Sequence, residues 1–143
     1  MIEPPRSIDP ENLDTEFRGR QALAMQDLAT AGTPFVAIEF WRTSPRQQWL
    51  YGSGRPSYPT WGRPGRWLTD RDGVIHLSRH QGRGTPGSCM AGDYWPVNAE
   101  GHAFCPSGDA AIWEALAAAG ERHGLRAGLR WHHVDADHLE LPL

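Results

Sequence analysis

Apolar side chains recur at helical spacing near the start of the chain, where Leu13, Phe17, Ala24 and Leu28 fall on one face. The pattern predicts a helix from Pro10 to Ala31. Asp9 can cap it, Pro10 suits a first turn where a missing N–H costs nothing, and Gly32 stops it. Phe35–Trp41 (FVAIEFW) is dense in β-formers and reads as a strand. Ser44-Pro45-Arg46-Gln47 has the form of a capping box with proline at the first helical position, so a short helix is expected from Ser44 to Tyr51 or Gly52. Between Gly52 and Asp72, prolines and glycines exclude long regular elements. Val74–Leu77 and Asp93–Val97 read as short strands, and Pro96 confines the second to a strand end or a sheet edge. Ile112, Leu116 and Ala119 mark a helix from about Asp109 to His123, with Ser107 as candidate cap and Gly124 at its end. Within Arg130–Leu141, the alternation His138-Leu139-Glu140-Leu141 predicts a final strand. This order of elements predicts an α+β domain, a small, mainly antiparallel sheet with flanking helices.

At 143 residues the chain has the length of one domain and can bury a core without disulfides or metal. The net charge of −3 and pI near 6.1 argue against a general nucleic-acid binder. All 14 basic residues are arginine. No apolar run is long enough to predict a transmembrane helix or membrane anchor. The N-terminal residues carry neither the basic nor the apolar region of a secretory signal. Cys89 and Cys105 lack the paired spacing of a zinc ribbon and are expected to be free thiols.

The seven histidines cluster late and turn attention to metal chemistry. Candidate donors are His76, His80, Asp93, His102, His123, His132, His133, Asp135, Asp137 and His138. Two places stand out by context. Ser78-Arg79-His80 lies in a glycine-rich stretch, and Asp135-x-x-His138 opens the final strand. A carboxylate three residues before a ligand histidine can act on water at a metal without ligating the ion. On an extended segment, His132 and His133 are expected to point to opposite sides, and Asp137 to face away from His138.

Ser78-x-His80-x-Gly82-Arg83, followed by Ala91-Gly92-Asp93, resembles the Ser-x-His-x-x-Gly-x-Ala-x-Asp motif of the M15 zinc peptidases. That family contains the D-Ala-D-Ala carboxypeptidases and dipeptidases and the phage endolysin peptidases that cut peptidoglycan stems. Asp135-x-x-His138 resembles its second motif. Trp41-Arg42-Thr43-Ser44-Pro45-Arg46-Gln47, continuing to Leu50-Tyr51-Gly52 and Arg55, is similar to its Tyr-Arg-Ser-Pro-Glu-Arg-Gln…Leu-Tyr-x-x-Gly-Arg segment. One departure is the gap from Gln81 to Gly92, longer than the family's, which reads as a loop insertion around Gly84–Met90.

The resemblance implies the peptidase fold shared with the hedgehog signalling domain, as a single domain over residues 1–143 with no separate wall-binding module. It implies that His80, Asp93 and His138 bind one Zn²⁺ and that Asp135 is the general base. By the same likeness Arg42 stabilises the oxyanion, while Ser78 and Gln47 lie near the substrate or the site wall. The function expected is a zinc-dependent peptidoglycan peptidase cutting a stem-peptide amide such as L-Ala-D-Glu. A D-Ala-D-Ala carboxypeptidase or dipeptidase stays open, as does a non-catalytic zinc-containing binding domain on the same fold. A purely structural zinc site would need Cys89 or His133 as a fourth ligand. Arg55, Arg63, Arg66 and Arg83 could meet stem-peptide carboxylates or be solvated loop charges. The expected protein is a monomer made in the cytoplasm without a signal peptide, acting on the wall after release at phage lysis.

Overall fold

A computed structural model describes residues 1–142 and shows the expected α+β architecture. Its elements are α1 (Thr15–Thr30), β1 (Phe35–Glu39), α2 (Ser44–Gly52), β2 (Ala91–Pro96), α3 (Ala110–Arg122), β3 (Arg126–Ala127) and β4 (His138–Glu140). The strands form one antiparallel sheet in the order β1-β2-β4-β3.

Several boundaries differ from the sequence reading, each for a local reason. The first helix starts at Thr15, because Leu13 leaves the helical path to bridge Cys89 and the Asp14 N–H donates to the Cys89 carbonyl. The Asp14 carboxylate then caps α1 at Glu16 N and Phe17 N, while Asp9 caps a separate 3-10 turn at Pro10–Asn12. Thr43, not Ser44, caps α2, and the Ser44 hydroxyl donates to the Gly73 carbonyl 2.9 Å away. Asp109 replaces Ser107 as the cap of α3. Val74–Leu77 is not a strand. One Asp72 carboxylate oxygen accepts from the N–H groups of Val74, Ile75 and His76, each at 2.9 Å, removing donors that a ladder would use. The C-terminal region holds two short strands where one was expected, since β3 pairs with β4 ahead of a turn at 128–130. Pro96 ends β2, which is an inner strand.

The sheet divides the molecule into an apolar and a polar side. Phe17, Gln21, Ala24 and Leu28 of α1 and Trp113, Leu116, Ala117 and Ala119 of α3 are buried in the core with Tyr94 and Leu139. Gly120 sits so close to Leu139 that a Cβ there would lie 2.6 Å from the leucine methyl. The Tyr94 hydroxyl donates to Gln21 at 3.0 Å, satisfying the one polar atom this aromatic brings inside. His123 and Asp27 join α3 to α1 through a 2.7 Å contact. Among the described residues no helix is long and apolar enough to cross a membrane.

The segment between α2 and β2 is irregular but internally braced. The Arg55 guanidinium lies 3.6 Å from the Tyr51 ring centroid and 3.2 Å from that of Trp67, and Arg63 covers Trp49 at 3.6 Å. Arg55 and Arg63 are therefore spent on holding the loop, whereas Arg66 lines the open cleft beside it. Cys89 is buried and Cys105 exposed, and they are not bridged.

Because Leu139 is fully buried against α3, Leu139→Ala leaves a cavity beneath the sheet. The expected loss is about 2–5 kcal/mol, read as a lower urea midpoint with an unchanged denaturant slope.

Candidate metal centre

On the polar side, adjacent strands deliver a row of charged residues. Glu39 of β1 lies opposite Asp93 of β2, and Asp93 lies opposite His138 of β4. A register shift between Ala37 and Glu39 places Glu39, rather than Ile38, across from Asp93. Glu140 follows His138 by two residues and so shares its face. All four side chains are buried.

His80 comes from the 3-10 turn Arg79–Gln81 that follows Ser78. The chain then reverses at Gly82, with φ of 56° and a position where a Cβ would stand 1.8 Å from the Ser88 carbonyl oxygen. Only glycine fits there. The longer His80–Asp93 gap is taken up by this surface loop, whose base is tied down because Gly87 N and Cys89 N both donate to the Asn12 carbonyl. The Cys89 thiol points to the Ala91 carbonyl at 3.1 Å, and burial pushes its pKa up to about 12.

The donor atoms of His80, Asp93 and His138 all lie within 4.8 Å of one another. His80 Nδ1 is 2.6 Å from the Phe40 carbonyl, which can only accept, so Nδ1 carries a proton and Nε2 is the nitrogen left to meet a ligand. That Nε2 is buried without a hydrogen-bond partner and stands 3.4 Å from Asp93 Oδ1. His138 Nδ1 is 3.1 Å from the same Asp93 oxygen. Burial alone would raise the Asp93 carboxyl, but His80, His138 and Arg42 overcome it and hold Asp93 well below the usual carboxylate range. Burial likewise opposes charge on His138, yet its hydrogen bonds to Asp93 and Glu140 win and raise its pKa to about 10. Two imidazole nitrogens and a carboxylate, one nitrogen orphaned and aimed at the other donors, fit a divalent cation: it would satisfy His80 Nε2 and take the place of the proton between Asp93 and His138.

Arg42 closes the other side of Asp93. Its Nη2 donates to Asp93 Oδ2 at 3.1 Å and to Glu39 Oε1 at 3.0 Å, and Nη1 donates to Gln47 Oε1 at 3.2 Å. Arg42 Nε is buried and unpartnered. Gln47 is fully buried behind the cleft wall. Its amide nitrogen donates to Thr69 Oγ1 and the Arg71 carbonyl, so it ties Arg42 to the 69–71 segment. Arg46 is buried as well and donates to Glu39 Oε2 at 2.8 Å and to Glu3.

Ser78, His132, His133, Asp135 and Asp137 line a single cleft with the cluster, whereas His76, His102 and His123 lie outside it. Ser78 Oγ is buried there without a partner. The half-exposed Asp135 carboxylate has an oxygen 3.8 Å from His138 Nδ1. Asp137 does not face away. It sits in the turn before β4, where strand alternation does not apply, and its carboxyl gathers with those of Asp93 and Asp135 while accepting from Trp95 Nε1 at 3.0 Å. Burial, with Asp93 and Asp135 close by, pushes Asp137 up to about 8. His132 and His133 occupy a bend rather than an extended segment, so their rings lie 5.0 Å apart instead of on opposite sides. The structure thus brings His80, Asp93, His138, Asp135, Arg42 and Ser78 together and places Gln47 behind them. Glu39, Arg46 and Glu140 take part without having been singled out from sequence. Alternation along His138-Leu139-Glu140 could have found Glu140, but the register shift hid Glu39.

A solved structure of Serratia marcescens L-Ala D-Glu endopeptidase ChiX shares this fold. The two are 19% identical with a TM-score of 0.61, and the match covers 99% of this chain and 89% of that one. At that identity the likeness is one of fold. The chain matches no protein-family model and no curated protein sequence.

Glu39 is the shared acceptor of Arg42 and Arg46, and Glu39→Ala leaves both guanidinium groups short of a buried partner. A stability loss of about 3–5 kcal/mol is expected, with a smaller loss for Glu39→Gln, each measured by chemical denaturation.

Proposed function

We propose that this protein is a zinc-dependent peptidoglycan peptidase that hydrolyses a stem-peptide amide, with L-Ala-D-Glu the favoured bond. The observation that carries the reading is the buried His80–Asp93–His138 cluster, with His80 Nε2 orphaned, opening into a cleft. The fold likeness to an L-Ala D-Glu endopeptidase supports the bond class.

His80 through Nε2, Asp93 through a carboxylate oxygen and His138 through Nδ1 would hold the ion. When bound, Zn²⁺ supplies Lewis acidity toward water and toward a polarised carbonyl. Asp135, beside the cluster but exposed enough to meet solvent, takes the proton of the attacking water and passes it to the leaving amine. Arg42 places a fixed positive charge in the cleft wall, where an oxyanion develops. Its orientation is set by Glu39, Asp93 and Gln47, so Gln47 acts through Arg42. Ser78, whose buried hydroxyl has no partner, stands in the cleft wall near the substrate. The cleft, about 1220 Å³ with walls from residues 66–71, 77–80 and 131–135, has room for an extended peptide.

Digestion of purified peptidoglycan, with new termini identified by mass spectrometry, tests the reading. Chelator-sensitive cleavage between L-Ala and D-Glu is the expected result. Release of terminal D-Ala alone would move the activity to a carboxypeptidase, and intact wall after treatment with folded, zinc-loaded protein would leave the enzyme reading without support. Asp135→Asn is expected to keep one zinc per chain and to lose activity by at least about 100-fold, the scale of general-base catalysis. His80→Ala is expected to lose both metal and activity, with zinc content read by elemental analysis.

A further inference from the structure

His138 engages a carboxylate at each ring nitrogen. Nδ1 faces Asp93, and Nε2 lies 2.9 Å from Glu140 Oε1. A neutral imidazole can ligate through only one nitrogen while the other keeps the proton, and the acceptor at the far nitrogen decides which. For His80 that acceptor is the Phe40 carbonyl at Nδ1. For His138 it is Glu140 at Nε2, so the two histidines present opposite nitrogens to the same point. We propose that Glu140 is a positioning residue for the metal: it holds a proton on His138 Nε2, so that Nδ1 is the nitrogen that gives up its proton to an ion beside Asp93 and His80, and it fixes the ring. The proposal rests on the metal-binding reading above.

The surroundings of Glu140 favour this role over that of a surface ion pair. The residue is 5% exposed. Its other oxygen faces two arginines, Arg79 at 3.5 Å and Arg126 at 4.0 Å. Arg79 sits in the turn that carries His80, and Arg126 is in β3 on the far side of β4. Glu140 thereby links the two histidine-bearing segments. A carboxylate is a stronger acceptor than the carbonyl that serves His80, so it makes His138 the more basic donor. The ring is further bounded by Trp131, with centroids 4.9 Å apart.

The test compares zinc affinity of the wild-type chain, Glu140→Gln and Glu140→Ala by competition with a chromophoric chelator. It also reads the His138 tautomer by ¹⁵N NMR of the zinc-loaded wild type. Glu140→Gln retains an oxygen that can accept from Nε2–H and is expected to bind within several-fold of wild type, whereas Glu140→Ala is expected to bind about 10–100-fold more weakly. The NMR spectrum is expected to show His138 protonated at Nε2. A folded Glu140→Ala with wild-type zinc affinity, or a His138 protonated at Nδ1, overturns the role of Glu140 alone. If Glu140→Ala does not fold, the Gln variant and the wild-type tautomer decide. A wild-type chain that binds no zinc overturns the metal reading and this one with it.

Discussion

The structure turns on one electrostatic problem, the burial of Glu39, Asp93 and Glu140 on a single face of a small sheet. A carboxylate removed from water needs a cation or several donors, and carboxylates side by side repel. The solution is alternation of sign. Arg42 sits between Glu39 and Asp93, and His138 sits between Asp93 and Glu140. Arg46 reaches Glu39 from α2, which helps to explain why that helix docks where it does, with a fully buried guanidinium near its start. The opposite face of the same strands carries Tyr94 and Leu139 into the helices. One sheet therefore separates the apolar packing from the charged row.

How far the sequence revealed this depends on how local each signal is. Both long helices were legible because their apolar spacing and their glycine stops are contained within a few turns, at Phe17–Gly32 and Leu116–Gly124. Their N-termini were less so: Leu13 is apolar at helical spacing, but a bridge to Cys89, far along the chain, pulls it out of α1. Val74–Leu77 has the composition of a strand but pairs with no strand among the described residues, and Asp72 supplies a competing arrangement for its backbone donors. β3 is two residues long and has no periodicity to detect.

The candidate site shows the same division. Motif spacing drew attention to His80, Asp93, Asp135 and His138, and the fold brings them together. The residues that make the cluster tolerable inside the protein were harder to see. Glu39 joins the row only because of the register shift after Ala37, which no count of alternating positions anticipates. Asp137 and the His132–His133 pair were misread by applying strand geometry to residues that lie in a turn and a bend. Arg55 and Arg63 read as free charges, yet the stacking that occupies them comes from aromatics scattered between Trp49 and Trp67.

The supports under the charged residues are unequal, and the inequality follows the proposed chemistry. Asp93 and His138 stand on paired inner strands, so their separation is set by the ladder itself. His80 stands on a short turn, but its ring is held by the Phe40 carbonyl and its backbone carbonyl accepts from Arg42 N. Asp135 is held through its backbone alone: its N–H donates to the Gly128 carbonyl and its carbonyl accepts from His138 N, while its carboxylate is half exposed. A ligand must not move when the ion arrives, whereas a base must reach water and then a departing amine. Rigid donors and a freer carboxylate at the cleft divide those duties as the proposed hydrolysis would require.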